Sequence, residues 1–498
     1  MIEFHDVSFT YETLDADGNP VGKNGISNLD LTIQRGEFVV LTGLSGCGKT
    51  TVIRLINGLI PHYYKGTLSG EITVDGISVS ESQIYETAKH VGSVFQNPRT
   101  QFFNVNTTDE IAFASENQGQ EALSIWERIT EAAGVMQIEK LLDRNIFELS
   151  GGEKQIIACA GIHVLSPDVI VLDEPSSNLD HHAIKELRDI LRRWKANGKT
   201  VVVAEHRLFY LRELADRLLI LEQGGIKQAL TGDEMRALSH AESERLGIRP
   251  VSLDKLDYTG SVCQKVSDTL SLENFIFTYR DGKHGIRMPK LVVPSNSIIA
   301  VIGHNGAGKS TFVRNVCGLE KKCKGTLSLS GRRMKAKERL HNCYMIMQDV
   351  NHQLFTESVK DEVILSMTEK SIPDDVKEVH ALEVLSQLDL AEYAEIHPMA
   401  LSGGQKQRTA IASGIASSKP IIIFDEPTSG LDLVHMKQVA EEIRNLQRMG
   451  KTIFVVTHDY EFILCCCDYV VWIEDGMVYQ NFWLNEEAVS KLNDFFNN

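Results

Sequence analysis

The chain has 498 residues, of which 43% are hydrophobic and 24% charged, and it carries a net charge of −16. That length exceeds a single compact core and suits two domains of ordinary globular composition. The acidic balance weighs against nucleic acid as the main partner, because backbone binding needs an excess of lysine and arginine. No run reaches the roughly 20 apolar residues that span a bilayer. Met1 is followed at once by Ile2-Glu3-Phe4-His5-Asp6, so no secretory leader is expected. The nine cysteines show no Cys-x-x-Cys pair, so neither a disulfide framework nor a zinc site is indicated. Cys465-Cys466-Cys467 lies in the apolar stretch from Phe462 to Val471 and reads as buried small hydrophobes.

In chain order, a β-like segment ends in an aromatic at Val7-Ser-Phe-Thr-Tyr11. Asp15-Ala-Asp-Gly-Asn-Pro20 reads as a loop. A second strand, Phe38 to Thr42, runs into the glycine loop Gly43-Leu-Ser45-Gly46-Cys-Gly48-Lys49-Thr50-Thr51, and a helical stretch follows. Pro61 to Gly66 is an insertion, and Gln96 precedes a mixed helical region that leads to Leu149-Ser150-Gly151-Gly152-Glu153. The apolar strand Val169 to Leu172 ends in Asp173-Glu174-Pro175, and the strand Thr200 to Ala204 precedes His206. A short linker of mixed charge, neither Gly/Ser-rich nor strongly helical, is expected from about 241 to 268. It divides a first domain (1–240) from a second (269–498).

The second half repeats the order. Phe275 to Tyr279 opens it, and Ile298 to Ile302 leads into Gly303-His-Asn305-Gly306-Ala-Gly308-Lys309-Ser310-Thr311. Gln348, Leu401-Ser402-Gly403-Gly404-Gln405, Asp425-Glu426 and His458 follow. Gln96 to Gln348, Ser150 to Ser402, Glu174 to Glu426 and His206 to His458 are each separated by 252 residues. A repeat of half the chain means two copies of one domain rather than a solenoid. Buried strands alternating with helices predict an α/β domain with a mostly parallel core sheet. The first copy is longer: Tyr11 to Lys49 is 38 residues against 30 from Tyr279 to Lys309, and Lys49 to Gln96 is 47 against 39.

Gly-x-x-x-x-Gly-Lys followed by Ser or Thr lets successive backbone N–H groups wrap an oligophosphate, with the next helix adding its dipole. Lys49 and Lys309 supply positive charge at the β- and γ-phosphates, and Thr50 and Ser310 a hydroxyl for Mg²⁺. Asp173 and Asp425, at strand ends beside the loops, can hold the Mg²⁺ hydration shell. Glu174 and Glu426 can orient or deprotonate the attacking water.

At these residues the chain resembles the ATP-binding cassette (ABC) ATPases over essentially its whole length. The most specific strings are Leu149-Ser-Gly-Gly-Glu-Lys-Gln155 and Leu401-Ser-Gly-Gly-Gln-Lys-Gln-Arg408, each about 24 residues before its glutamate. The resemblance implies two tandem P-loop domains, each an α/β core with an antiparallel β subdomain and a helical signature subdomain. It implies that ATP and Mg²⁺ lie between the glycine loop of one domain and the signature of the other. Ser402 and Gly404 would then face ATP held by Lys49, and Ser150 and Gly152 ATP held by Lys309. Tyr11 and Tyr279 match the aromatic that stacks on adenine, with strand packing as the bland alternative. Gln96 and Gln348 match the Mg²⁺-sensing glutamine, and His206 and His458 the histidine that contacts the γ-phosphate. Ser177-Asn-Leu-Asp180 and Ser429-Gly-Leu-Asp432 resemble the loop through which paired sites communicate.

Several strings resemble the fused ATPases of energy-coupling factor (ECF) transporters: Asn57-Gly-Leu-Ile-Pro-His-Tyr63, Phe95-Gln-Asn-Pro98 with Gln101-Phe102, and Ala204-Glu-His-Arg-Leu208. That resemblance implies a transmembrane coupling subunit, a substrate-binding membrane subunit, uptake of a vitamin or transition-metal ion, and a place on the cytoplasmic face of the membrane. Gln101-Phe102-Phe103 and Gln353-Leu354-Phe355 read either as core packing or as a groove for a helix of the membrane subunit. Rival readings are a fused sugar-importer ATPase, a ribosome-binding ABC translation factor and a DNA-repair cassette protein. The intact residues of both halves, the short linker with acidic balance, and the lack of cysteine pairs weigh against these in turn. The halves differ at Ile156 against Arg408 and at Asn178 against Gly430, so two active sites of unequal rate are expected.

Overall fold

A computed structural model describes residues 1–14, 20–254, 256–259, 268–279, 282, 284–368 and 372–497. The expected loop at 15–19 and the linker positions 255 and 260–267 lie outside the described residues. The chain divides into two compact units, Met1–Asp254 with Gly430–Val434, and Lys255–Ser429 with His435–Asn498.

The first unit contains β1 (Ile2–Leu14), β2 (Pro20–Ile33), β3 (Phe38–Gly43), β4 (Gly66–Val74), β5 (Ile77–Ser78), β6 (Val91–Val94), β7 (Val169–Asp173), β8 (Thr200–Ala204), β9 (Arg217–Glu222) and β10 (Gly225–Thr231). An antiparallel sheet has the order β2-β1-β4-β5, and a second sheet the order β10-β9-β3-β8-β7-β6. All pairs of the second sheet are parallel except β9 with β10. Parallel strands with both faces covered read as continuous apolar runs. Accordingly β3 and β8 are buried at every residue, and β7 at all but its terminal aspartate. Each buried Val, Ile or Leu there contributes about 1.5–3 kcal/mol.

The second unit repeats the design with β11 (Thr269–Thr278), β12 (Gly285–Pro294), β13 (Ile298–Ile302), β14 (Lys324–Leu329), β15 (Arg332–Met334), β16 (Cys343–Ile346), β17 (Ile421–Asp425), β18 (Thr452–Val456), β19 (Tyr469–Glu474) and β20 (Met477–Trp483). Its sheets have the orders β12-β11-β14-β15 and β16-β17-β18-β13-β19-β20. The order within each core sheet places the glycine-loop strand beside the strand that precedes the histidine, which in turn lies beside the strand ending in Asp-Glu.

The structure departs from the linker expectation. A helix spans His240–Arg245, and Ile248 and Val251 are buried in the first unit's core. Apolar side chains at those positions bind this segment to the first unit. Cys466 and Cys467 are buried as free thiols, while Cys465 is partly exposed.

One clamp recurs in both units, on aspartates 252 residues apart. Asp216 accepts from the Phe38 amide at 2.9 Å and Lys195 Nζ at 2.6 Å, fixing the start of β3 against the helix His181–Ala196. Asp468 accepts from the Ile298 amide at 2.9 Å, Arg444 at 2.6 Å and Gln447 at 2.9 Å, fixing the start of β13 against the helix Leu433–Arg448. The side chains of Lys195 and Asp216 are 30% and 43% exposed; those of Arg444 and Asp468 are 9% and 5% exposed. Solvated pairs contribute little, whereas removing one partner of a buried pair strands a charge. Arg444→Met is therefore expected to destabilise the protein by about 3 kcal/mol. Lys195→Met should cost under about 1 kcal/mol. Urea unfolding of the two variants checks the contrast.

Candidate active site

Each glycine loop is shaped by backbone that a side chain would obstruct. Gly43 and Gly303 have φ of 138° and 149°, and a Cβ at either would collide with the carbonyl of Leu221 or Ile473. Gly48 and Gly308, at φ 107° and 101°, set the N-termini of the helices Lys49–Ile56 and Lys309–Cys317 with no side-chain cap. The first-turn amides therefore remain available to an anion. Lys49 Nζ donates to the carbonyls of Gly43 and Leu44, both at 3.1 Å. Lys309 Nζ does the same to Gly303 at 2.8 Å and His304 at 3.0 Å. Both ammonium groups thus sit inside their own loops, positioned to meet an oligophosphate.

Thr50 Oγ1 donates to Asp173 Oδ1 at 3.1 Å, which joins the loop hydroxyl to the strand-end carboxylate. Burial, then the neighbouring Glu174, pushes Asp173 up to about 6. Burial likewise raises Asp425, against the opposing hydrogen bond from Ser310. A hydroxyl and a carboxylate side by side are hard oxygen ligands that suit Mg²⁺ completed by phosphate and water.

The residues after these aspartates turn sharply. Glu174 and Glu426 adopt left-handed backbone, φ 44° and 52°. Non-glycine residues pay for that conformation, and they keep it where surrounding structure enforces it. Here the Glu174 amide donates to Ala204 O at 2.8 Å and the Glu426 amide to Val456 O at 2.9 Å, so each glutamate stays stitched to the strand preceding the histidine. In both units histidine Nε2 lies 3.5 Å from glutamate Oε1, His206 to Glu174 and His458 to Glu426. Burial, then Lys49, pulls His206 down to about 3, so its ring is neutral at pH 7 and the contact is no ion pair. Its Nε2 is buried and has no hydrogen-bond partner. A buried polar atom left open beside a phosphate cradle fits contact with a ligand oxygen. Burial pushes Glu174 up to about 7, against the lowering pull of Lys49. Gln96 Nε2 donates to Glu174 Oε2 at 2.7 Å.

The two sequence-predicted aromatics are placed alike. Tyr11 Oη lies 3.1 Å from Thr51 Oγ1, and Tyr279 Oη 3.2 Å from Thr311 Oγ1. Each ring meets the edge of the phenylalanine two residues earlier at 4.8 Å. The hydroxyl is thereby anchored to the helix behind the glycine loop, which fixes the ring at the loop's flank. Ser45, Gly46, Asn305 and Gly306 lie at the loop tips, where a Cβ at either glycine meets nothing within 4 Å. The signatures open helices, Gly151–Leu165 and Gly403–Ala416. Ser150 and Ser402 are their N-caps, each in a reciprocal capping box, with Glu153 and Gln405 respectively. The serine oxygens accept from backbone, so their hydroxyl protons remain available to donate. Gly152 and Gly404 lie in the first turns.

The ABC transporter family pattern matches residues 26–177 and 287–429, together more than half of the chain. The chain belongs to the ABC transporter family. It is a fused tandem ABC ATPase, an enzyme that hydrolyses ATP. A Treponema denticola protein, provisionally named as an ABC transporter ATP-binding protein, is 42% identical over 96% of both chains. A Methanosarcina mazei protein of the same provisional name is 31% identical over 96% of this chain and 88% of its own. Among solved structures, an archaeal ribosome recycling factor, aABCE1, aligns over 97% of this chain and 92% of its own, with a TM-score of 0.62 and 20% identity. At that identity the likeness concerns the fold.

Sequence reasoning gave no role to Glu205, which is 2% exposed beside His206. A carboxylate ending an apolar strand one residue before the histidine was the available signal. The structure places Ile156 in the first unit's core. Both glutamate–histidine pairs have the same spacing, so Glu174→Gln and Glu426→Gln should each lower steady-state ATPase activity at least about tenfold at the affected site. Phosphate release, followed for both single variants and the double, checks this; an unchanged rate in either single variant contradicts two active sites.

Proposed function

We propose that this ATPase is the energy-coupling subunit of an ECF-type membrane importer, peripheral to the cytoplasmic face, taking up a vitamin or a transition-metal ion. Matched aromatic knobs beside the two glutamines carry the reading. Gln101 accepts from the Phe95 amide at 3.3 Å and donates to Ser93 O at 2.9 Å. Glu110 then accepts from the Phe103 and Asn104 amides at 3.0 and 2.7 Å. The second unit does likewise: Gln353 accepts from the Met347 amide at 3.1 Å, and Glu362 from the Phe355 and Thr356 amides at 3.0 and 3.2 Å. Phe102 and Leu354 pack inward, but Phe103 and Phe355 are 76% and 74% exposed. A large apolar side chain held out on a braced loop has the character of an interface anchor. The helix of a transmembrane coupling subunit is the proposed occupant, with a substrate-binding membrane subunit beyond it. Among described residues no helix is long and apolar enough to cross a membrane. The transporter names of the Treponema and Methanosarcina relatives, and the ECF-like strings, support this assignment.

In the proposed cycle the two domains pair head-to-tail within the chain. Lys49 and the loop amides bind one ATP, and Ser402 with Gly404 closes on it. Lys309 binds the other, and Ser150 with Gly152 closes on that one. Tyr11 and Tyr279 stack on the adenines. Thr50, Asp173 and Gln96, or Ser310, Asp425 and Gln348, would hold Mg²⁺, which would supply positive charge beside the β- and γ-phosphates. Glu174 or Glu426 orients and deprotonates the water, while the neutral imidazole of His206 meets the γ-phosphate through Nε2.

Affinity purification from mildly solubilised membranes is expected to bring down hydrophobic membrane subunits, and Phe103→Asp with Phe355→Asp to lose them. Recovery of ribosomes instead would overturn the importer reading. The crossed pairing makes its own forecast: Ser402→Arg should abolish nucleotide trapping at the Lys49 loop and spare the Lys309 loop. Photo-crosslinked ATP mapped to each loop distinguishes the two.

A further inference from the structure

The two units brace the same glutamate–histidine pair with carboxylates on opposite sides of the histidine. In the first unit Glu205, just before His206, is buried and accepts four hydrogen bonds. Its Oε1 takes the amides of His206 at 2.7 Å and Arg207 at 3.1 Å. Its Oε2 takes the Ser176 amide at 3.3 Å and the Tyr210 hydroxyl at 2.8 Å. Ser176 lies two residues after Glu174, so one carboxylate holds the turn leaving the glutamate and the segment bearing the histidine. Arg207 reinforces that turn through the carbonyls of Ser176 at 3.4 Å and Leu179 at 3.5 Å.

The second unit has Thr457 at the position 252 residues after Glu205, and Asp459 at the position 252 after Arg207. Asp459, just after His458, is 3% exposed. It accepts from Thr428 Oγ1 at 2.9 Å, and Thr428 lies two residues after Glu426. Its amide donates to Thr457 Oγ1 at 3.0 Å, and its Oδ1 takes the Phe462 amide at 3.2 Å. Both braces bridge the same two segments, through different residues.

Burying a carboxylate is costly unless donors surround it, and each of these is met by them. Those donors come from the two segments whose separation sets the 3.5 Å contact of glutamate and histidine. We propose that Glu205 and Asp459 are positioning residues for ATP hydrolysis, acting through Glu174–His206 and Glu426–His458 respectively. The proposal rests on the roles assigned above to those glutamates and histidines. A brace of this kind acts on the hydrolytic geometry and leaves the glycine loop, which binds the phosphates, untouched. Misplacing a catalytic group lowers kcat rather than nucleotide affinity.

The test uses the full chain with Glu426→Gln, so that hydrolysis reports the first site. Glu205→Gln puts an NH₂ among donors and should lower kcat about tenfold, with KM for ATP within about twofold. Glu205→Thr should do the same, and adding Arg207→Asp, which copies the second unit's arrangement, should recover at least about fivefold. Melting temperature is followed throughout. Unchanged kcat, a rise in KM alone, or a folded double variant no better than Glu205→Thr overturns the proposal. If the Glu205 variants lose their cooperative melt, Asp459→Asn in a Glu174→Gln chain decides by the same kcat criterion. Failure of the underlying assignment looks different: the Glu174→Gln/Glu426→Gln chain would keep its ATPase activity whatever stands at 205.

Discussion

A carboxylate and an imidazole must end two neighbouring parallel strands at the same height, and the rest of each unit is built to keep them there. β7 pairs with β8 so that Asp173 faces Ala204, and β17 with β18 so that Asp425 faces Val456. The next residue leaves the ladder through left-handed backbone yet keeps its amide on the neighbouring strand. That single turn aims the glutamate toward the histidine instead of continuing the strand alternation, in which successive side chains point to opposite faces. The strain is local and the ladder that enforces it is buried, so the geometry is shared by both halves although their sequences have drifted.

Concentrating ionisable groups at buried strand ends has electrostatic consequences. Burial raises Asp173 and Glu174 and lowers His206, each toward its neutral form. Desolvation disfavours every uncompensated charge, so all three groups are biased toward their neutral forms. Lys49 Nζ sits among loop carbonyls, and its charge pulls Glu174 down against the effect of burial. A bound Mg²⁺ would favour the ionised forms of these carboxylates.

Much of this was legible in the sequence because it is periodic or local. Apolar runs of strand length ending in Asp-Glu, glycines before Lys-Thr and Lys-Ser, and the 252-residue register pointed to the α/β fold, and in each half the structure brings the predicted glutamate and histidine to 3.5 Å. Other features were not legible because they depend on tertiary placement. Nothing in Gln101-Phe102-Phe103 says which phenylalanine turns inward; the bracing by Gln101 and Glu110 decides it. The segment after Arg245 looked like linker because its apolar residues are too few for a periodic signal, yet Ile248 and Val251 complete the first core. The role of Glu205 depends on Ser176 and Tyr210 converging on it from different turns, which linear spacing does not display.

The same logic applies where the halves differ. Ile156 lies in the first unit's core, whereas at the matching position Arg408 has a buried Nε with no hydrogen-bond partner. A buried carboxylate needs donors wherever it stands. With the carboxylate before the histidine in one unit and after it in the other, the matched positions differ together: Glu205 against Thr457, Arg207 against Asp459 and Ser176 against Thr428. The Arg207 side chain and the Asp459 carboxylate reach for carbonyl and hydroxyl groups of the same turn, so the substitutions are coupled by hydrogen-bond polarity. A donor replaced by an acceptor at one position forces the reverse nearby. Three differences that look independent along the chain thus meet in one hydrogen-bonded brace, and both units have a glutamate–histidine spacing of 3.5 Å.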